Sequence, residues 1–193
     1  LAECAFTGDA TNFYIAVRSA TGPDGTLVAK EGPHNLCYDD SVEFWFNPPE
    51  EMRQMEFARF GVFQIIANSK GAIEGHHYNP GYGLAARQLK LKGVEVGNSV
   101  HGEVWDFEIK IPAAVFGCNR LDESDWGMIF ARTFRSGRSA QGSFQPYLGM
   151  GYADVKSQTC HRLRRKASPT PSGKAEELFK SGCNCSQAVF AAC

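Results

Sequence analysis

No stretch of this sequence approaches the roughly 18 consecutive apolar residues that a membrane-spanning helix requires, so no membrane partner is expected. Charge of one sign is missing as well: 20 Lys and Arg stand against 21 Asp and Glu, for a net charge of −1. A balance so near zero supplies no field that would draw nucleic acid. The one basic cluster, Arg162, Arg164, Arg165 and Lys166, is short and adjoins a polar segment, which reads as a solvated stretch. The seven cysteines (4, 37, 118, 160, 183, 185 and 193) include no C-x-x-C pair and no zinc-ligand spacing. Cys4 and Cys160 would meet only if the terminal strands of the main domain are neighbours, so the pairing and the redox compartment stay open. No Ser-His-Asp or Cys-His arrangement, P-loop, G-x-G-x-x-G string or internal repeat occurs.

What remains is the composition of an ordinary folded protein, with 43% hydrophobic and 12% aromatic residues over a chain of 193. A main domain of about 165 residues would bury on the order of 70% of its unfolded surface, enough to fold without staples. The text begins at Leu1 and enters strand-like sequence almost at once, which leads us to expect a fragment or a processed product.

Alternation with a period of two dominates residues 1–160. Asn12–Ser19 sets Phe13, Ile15 and Val17 against Tyr14, Ala16 and Arg18. Val104–Ile111 sets Trp105, Phe107, Ile109 and Ile111 against Val104, Asp106, Glu108 and Lys110. Gly61–Asn68 reads as a strand buried on both sides for part of its length, and Trp126–Thr133 as a further strand. Turn chemistry separates them at Gly22-Pro23-Asp24-Gly25, Asn47-Pro48-Pro49, Asn79-Pro80-Gly81 and Ser136-Gly137. Pro112 through Gly117 fits one helical turn, with Pro at its start and Gly after its end. Short strands punctuated in this way predict an all-β fold, an antiparallel sandwich over residues 1–163. A Pro-rich linker follows at 164–173, and 174–193 carries the pattern of two short helices, the second cut off before it could close a domain.

The most informative segment is Asp40 to Asn47. Val42, Phe44 and Phe46 share one face of a strand, while Ser41, Glu43, Trp45 and Asn47 share the other. A tryptophan in line with Glu and Asn is expected to leave a flat ring at the surface, where it serves recognition. Trp105 and Trp126 have the parity of apolar neighbours and are expected in the core.

Two segments then carry a resemblance. Asp39-Asp40-Ser41-Val42-Glu43-Phe44 and Trp105-Asp106-Phe107-Glu108-Ile109-Lys110-Ile111-Pro112 resemble the D-D-x-V-E and W-x-x-E-x-x-I-P strands of family 9 carbohydrate-binding modules, within the DOMON-like β-sandwiches. Trp126 to Arg132 resembles the strand that follows in those modules. The resemblance spans about residues 5–165 and implies non-catalytic glycan binding by aromatic stacking, with carbohydrate as partner, no cofactor and an extracellular or periplasmic location. Trp45 would be the main platform, with Phe144 (where members with two tryptophans carry the second) or Tyr147 as the other ring. Arg132 and Gln145 would meet hydroxyls. His77 and Tyr78 lie in the segment 76–82, which reads either as a plain loop or as a sugar-contacting rim. The chain is expected to be a monomer. In the tail, Ala175 to Phe179 and Asn184 to Phe190 resemble the opening helices of the C-GCAxxG-C-C family of redox-active proteins, here truncated.

Other readings attach to the same residues. Paired carboxylates hydrolyse glycosides, but Glu43 and Glu108 belong to strand motifs and read as solvated or hydrogen-bonding groups. Asp39 and Asp40 are of the right type for calcium, yet no closely spaced loop of oxygen ligands accompanies them, and they read as caps at a strand start. Adjacent His76 and His77 would point to opposite faces of a strand and so could not share a metal. Some DOMON-like sandwiches hold haem through Met and His, for which Met150 with His76 or His77 is the available set. A spacer or interaction module of a larger secreted enzyme is the third alternative.

Overall fold

A computed structural model describes residues 2–32, 34–48, 62–78, 86–121, 126–136, 140–143 and 161–163. In chain order the first strands are β1 (Ala2–Gly8), β2 (Asn12–Ala20), β3 (Ser41–Asn47), β4 (Val62–Asn68), β5 (Ile73–Tyr78) and β6 (Ala86–Gln88). They are followed by β7 (Glu95–His101), β8 (Val104–Pro112), β9 (Trp126–Phe134), β10 (Ala140–Ser143) and β11 (His161–Leu163). Every pairing among them is antiparallel, and the expected all-β class holds. One sheet has the order β1-β2-β8-β7; the other runs β10-β9-β3-β4-β5-β6, with β11 also on β9. The chain divides into two compact units, each built around one sheet.

The four-stranded sheet follows the alternation of its sequence. In β8, Trp105, Phe107, Ile109 and Ile111 are fully buried, and the residues between them are half-buried. They pair across the ladder with Ser19, Val17, Ile15 and Phe13 of β2, so the two apolar rows share one face. After β8 a 3₁₀ turn, Ala113–Phe116, closes on Gly117, whose φ of 74° is the left-handed conformation that suits glycine. The expected helical turn is therefore present.

In the larger sheet β3 lies between β4 and β9. Val42, Phe44 and Phe46 are fully buried on one face, where Phe44 stacks on Phe130 of β9 with ring centroids 5.8 Å apart. All of β4 is buried, where its sequence predicts two-sided burial for only part of its length. Segment 76–78 departs from the expected loop. His76, His77 and Tyr78 end β5 in register with Gln64, Phe63 and Val62 of β4, because ladder hydrogen bonds override the polar composition of three residues.

The start of β3 is fastened by two buried aspartates. Asp40 accepts hydrogen bonds from the backbone N–H groups of Val28 (2.7 Å), Arg135 (3.0 Å) and Ser136 (2.9 Å). Asp39 accepts from Lys30 N–H (3.3 Å), the Asn68 amide (2.7 Å) and His34 Nε2 (2.6 Å). These bonds cap and clamp the start of β3. Cys4, Cys37 and Cys118 are free thiols, and burial pushes the Cys4 thiol well up from its ordinary range. The expected linker at 164–173, the tail at 174–193, the C-terminal partner Cys160 and the haem candidate Met150 lie outside the described residues.

Candidate functional site

The register of the larger sheet sorts its polar and aromatic side chains onto one face. Trp45 of β3 pairs with Gln64 of β4 and Ile129 of β9, Gln64 pairs with His76 of β5, and His76 pairs with Gln88 of β6. Glu43 lies two residues before Trp45, and Tyr78 two after His76, so both present the same face. Side chains from β3, β4, β5 and β9 thus meet in one aromatic-polar cluster.

Within it, hydrogen bonds run in a chain. Tyr78 donates its hydroxyl proton to Gln64 Oε1 (3.0 Å), and Gln64 Nε2 donates to Glu43 Oε2 (3.1 Å). Trp45 Nε1–H donates to the same Glu43 oxygen (3.3 Å). The Trp45 and Tyr78 rings lie 5.3 Å apart at 30°, and Val62 and Ile129 pack against the indole. His76 stands 5.9 Å from the Tyr78 ring, and its Nδ1 is buried with no hydrogen-bond partner. Burial raises the pKa of Tyr78, assisted by Glu43, Glu74 and Cys37, so the phenol keeps its proton and remains a donor.

Trp45 is not the exposed ring that its polar neighbours predict. It is 3% exposed. The parity argument identified its face correctly, but Glu43 and Gln64 satisfy one another and the indole N–H, so this polar face can be buried. Glu43, 1% exposed, is accordingly a hydrogen-bonding carboxylate and not a solvated one. The more accessible aromatic groups of the cluster are Tyr78 and His76, both half-buried.

Two further expected contacts fall on the opposite face. Arg132 of β9 shares parity with Met128 and Phe130; it is buried, and Nη2 donates to Asp40 Oδ1 at 2.9 Å. Its Nη1 also donates to the Thr133 and Ser41 carbonyls, and its guanidinium lies 5.1 Å from the Phe134 ring centroid. Desolvation lowers its pKa, against the pull of Asp40. The guanidinium is thus committed on the face opposite Trp45. His77 likewise points away from Trp45 and stacks on Phe63 at 4.7 Å, its pKa lowered by burial and by Arg87. Phe144, Gln145 and Tyr147 lie outside the described residues. Sequence reasoning missed Gln64, whose only signal was its parity opposite Phe63 and Ile65.

No protein-family model and no curated protein matches the chain. Solved structures do. A protein of Bacteroides uniformis ATCC 8492, named for inferred carbohydrate binding, is 14% identical with a TM-score of 0.65, over 83% of this chain and 77% of its own. A family 9 carbohydrate-binding module from Caldicellulosiruptor kristjanssonii, in complex with cellotriose, is 11% identical with a TM-score of 0.58, over 86% and 76%. Such a module from the same organism in complex with glucose gives 11%, 0.57, 86% and 78%. At these identities the likeness is one of fold.

Proposed function

We propose that this chain binds carbohydrate without catalysis, on the sheet face that carries Trp45, Tyr78, Glu43 and Gln64. The observation that carries this reading is the hydrogen-bonded chain from Tyr78 through Gln64 and Glu43 to the Trp45 indole. It holds an aromatic pair rigid on the face opposite the apolar one, so little side-chain entropy is lost when a ligand stacks there. Sugar rings have apolar C–H faces and equatorial hydroxyls, and are met by a ring to stack on with a few directed polar groups beside it. Tyr78 is the ring with access, Trp45 its backing, and His76 Nδ1 a buried polar atom in need of a partner. Phe144, Gln145 and Tyr147, the further contacts expected from the sequence, lie outside the described residues. The fold likeness to proteins solved with cellotriose and glucose supports this class of ligand.

In this reading affinity comes from stacking and hydrogen bonding alone, and no proton is transferred. It carries with it an extracellular or periplasmic location, where polysaccharide is met. Among the described residues no helix is long and apolar enough to cross a membrane. The test is titration calorimetry of the whole chain against glucose, cellotriose and a panel of other oligosaccharides. A saturable heat with any of them, abolished by changes at Tyr78, supports the reading; silence across the panel overturns it.

A further inference from the structure

A sheet edge is a row of unpaired backbone groups, and folded proteins ordinarily guard it with short length, a charge mid-strand, proline or a bulge. β6, at one edge of the larger sheet, has three residues with the exposed Arg87 at its centre. β1, at one edge of the smaller sheet, carries Glu3. β7, at the other edge, has none of these guards. It pairs with β8 without a bulge over all seven residues, from Glu95↔Lys110 to His101↔Val104. It contains no proline, and its five central residues, Val96-Gly97-Asn98-Ser99-Val100, are uncharged. Among the described residues nothing pairs with its outer side. All of β7 but the half-buried Val96 is exposed, and Val100 is 42% exposed, one of the few large apolar residues so open to solvent.

The strand is also complementary to itself. Two copies laid antiparallel about a two-fold axis at Asn98 set Asn98 against Asn98, Gly97 against Ser99, Val96 against Val100, and Glu95 against His101. Val96, Asn98 and Val100 are the ladder partners of Ile109, Phe107 and Trp105, so both valines sit at the margin of the apolar face. In that register each valine meets a valine of the second copy and extends the buried row. At both ends the Glu95 carboxylate stands opposite the His101 ring. A shift by one residue would set these valines opposite His101 and Gly97, or Ser99 and Glu95, and no valine would meet a valine, so the pattern itself selects the register.

We propose that β7 is a self-association edge, through which a second copy of this chain joins two four-stranded sheets into one continuous sheet. This departs from the monomer expected from the sequence and stands apart from the sugar-binding reading, since β7 belongs to the other sheet.

The test uses the full chain. Sedimentation from micromolar to millimolar concentration should show mass doubling. Asn98→Cys should form an intermolecular disulfide under mild oxidation, mapped by peptide mass spectrometry against the native cysteines, because a residue on the axis faces itself within bonding distance. Val100→Cys should not, since its opposite is Val96. The double change Val96→Lys with Val100→Lys places like charges across the axis and should return the protein to a monomer, with an unchanged far-UV spectrum showing that it is folded. A monomer at every concentration, equal cross-linking at 98 and 100, or a dimer that survives the folded double-lysine variant would each overturn the proposal.

Discussion

At the scale of single residues, the accessible ring expected at Trp45 is found instead at Tyr78, while Trp105 and Trp126 are core residues as expected. Trp45 is buried against Tyr78, Val62 and Ile129, so Trp45→Ala should cost about 3–5 kcal/mol through the cavity it leaves. Tyr78→Ala removes an accessible ring at an anchored site. It should weaken sugar binding by roughly tenfold to thirtyfold, as at interface hot spots, and lower the melting temperature far less than Trp45→Ala does. Calorimetry with paired melting curves separates the two roles. His34 makes a prediction about pH. Its Nδ1 faces the Gly32 carbonyl at 2.8 Å and its Nε2 faces Asp39 at 2.6 Å. Both partners are acceptors, so the ring makes both bonds only as the imidazolium. The Gly32 carbonyl and Asp39 raise its pKa above 6.5, with desolvation and Lys30 opposing. The stabilisation is thus complete below the unfolded value near 6.5 and is lost as pH rises through the higher folded value. Asp39 works in the opposite direction. Burial opposes its charge, but the bonds from Asn68, His34 and Lys30 N–H outweigh that and hold its pKa below 3.8, so its share is lost only in acid. Replacing His34 by Gln should flatten the decline of stability as pH rises above about 6.5. A decline as steep as the parent's would show that His34 is not its source.

At the scale of elements, the strand ends depend on a few contacts that parity does not reveal. Arg132 on β9 and Asp40 before β3 form a buried pair, 2.9 Å apart, that joins neighbouring strands of one sheet. Arg132→Met leaves the Asp40 carboxylate buried with its main cation gone, and should cost about 3–5 kcal/mol in denaturant unfolding. If the cost is under about 1 kcal/mol, the aspartate is held by its backbone donors alone. Gly75 of β5 is fixed for a different reason. A Cβ there would lie 2.9 Å from Leu91 Cδ2 and 3.2 Å from Leu89 Cβ, where the chain leaves β6. Gly75→Val should therefore push these leucines away and destabilise by about 1–3 kcal/mol.

At the scale of the whole molecule, the expected boundary at residue 163 predicts that a chain ending there binds sugar as tightly as the full one, which calorimetry on both would decide. Much of the architecture was legible in the sequence. The period-two rows of β2, β3, β4, β8 and β9 specified strands, their faces and most of the core, because burial of one face is the dominant stabilising term and its signature is local. Proline and glycine marked the turn at residues 113–116 for an equally local reason. The exposed edge strand β7 and the polar end of β5 were not legible, since neither shows an apolar row in its own sequence and each takes its place from contacts with a neighbouring strand. For the site, the sequence by itself determined that Glu43 and Trp45 share a face apart from Val42, Phe44 and Phe46. Only the tertiary structure decided that this face is buried, that Tyr78 is the ring with access and that Arg132 belongs to the other side. Parity sorts side chains within one strand, but exposure and hydrogen-bond satisfaction depend on which strands lie beside it, and that pairing is set by contacts distant in the chain.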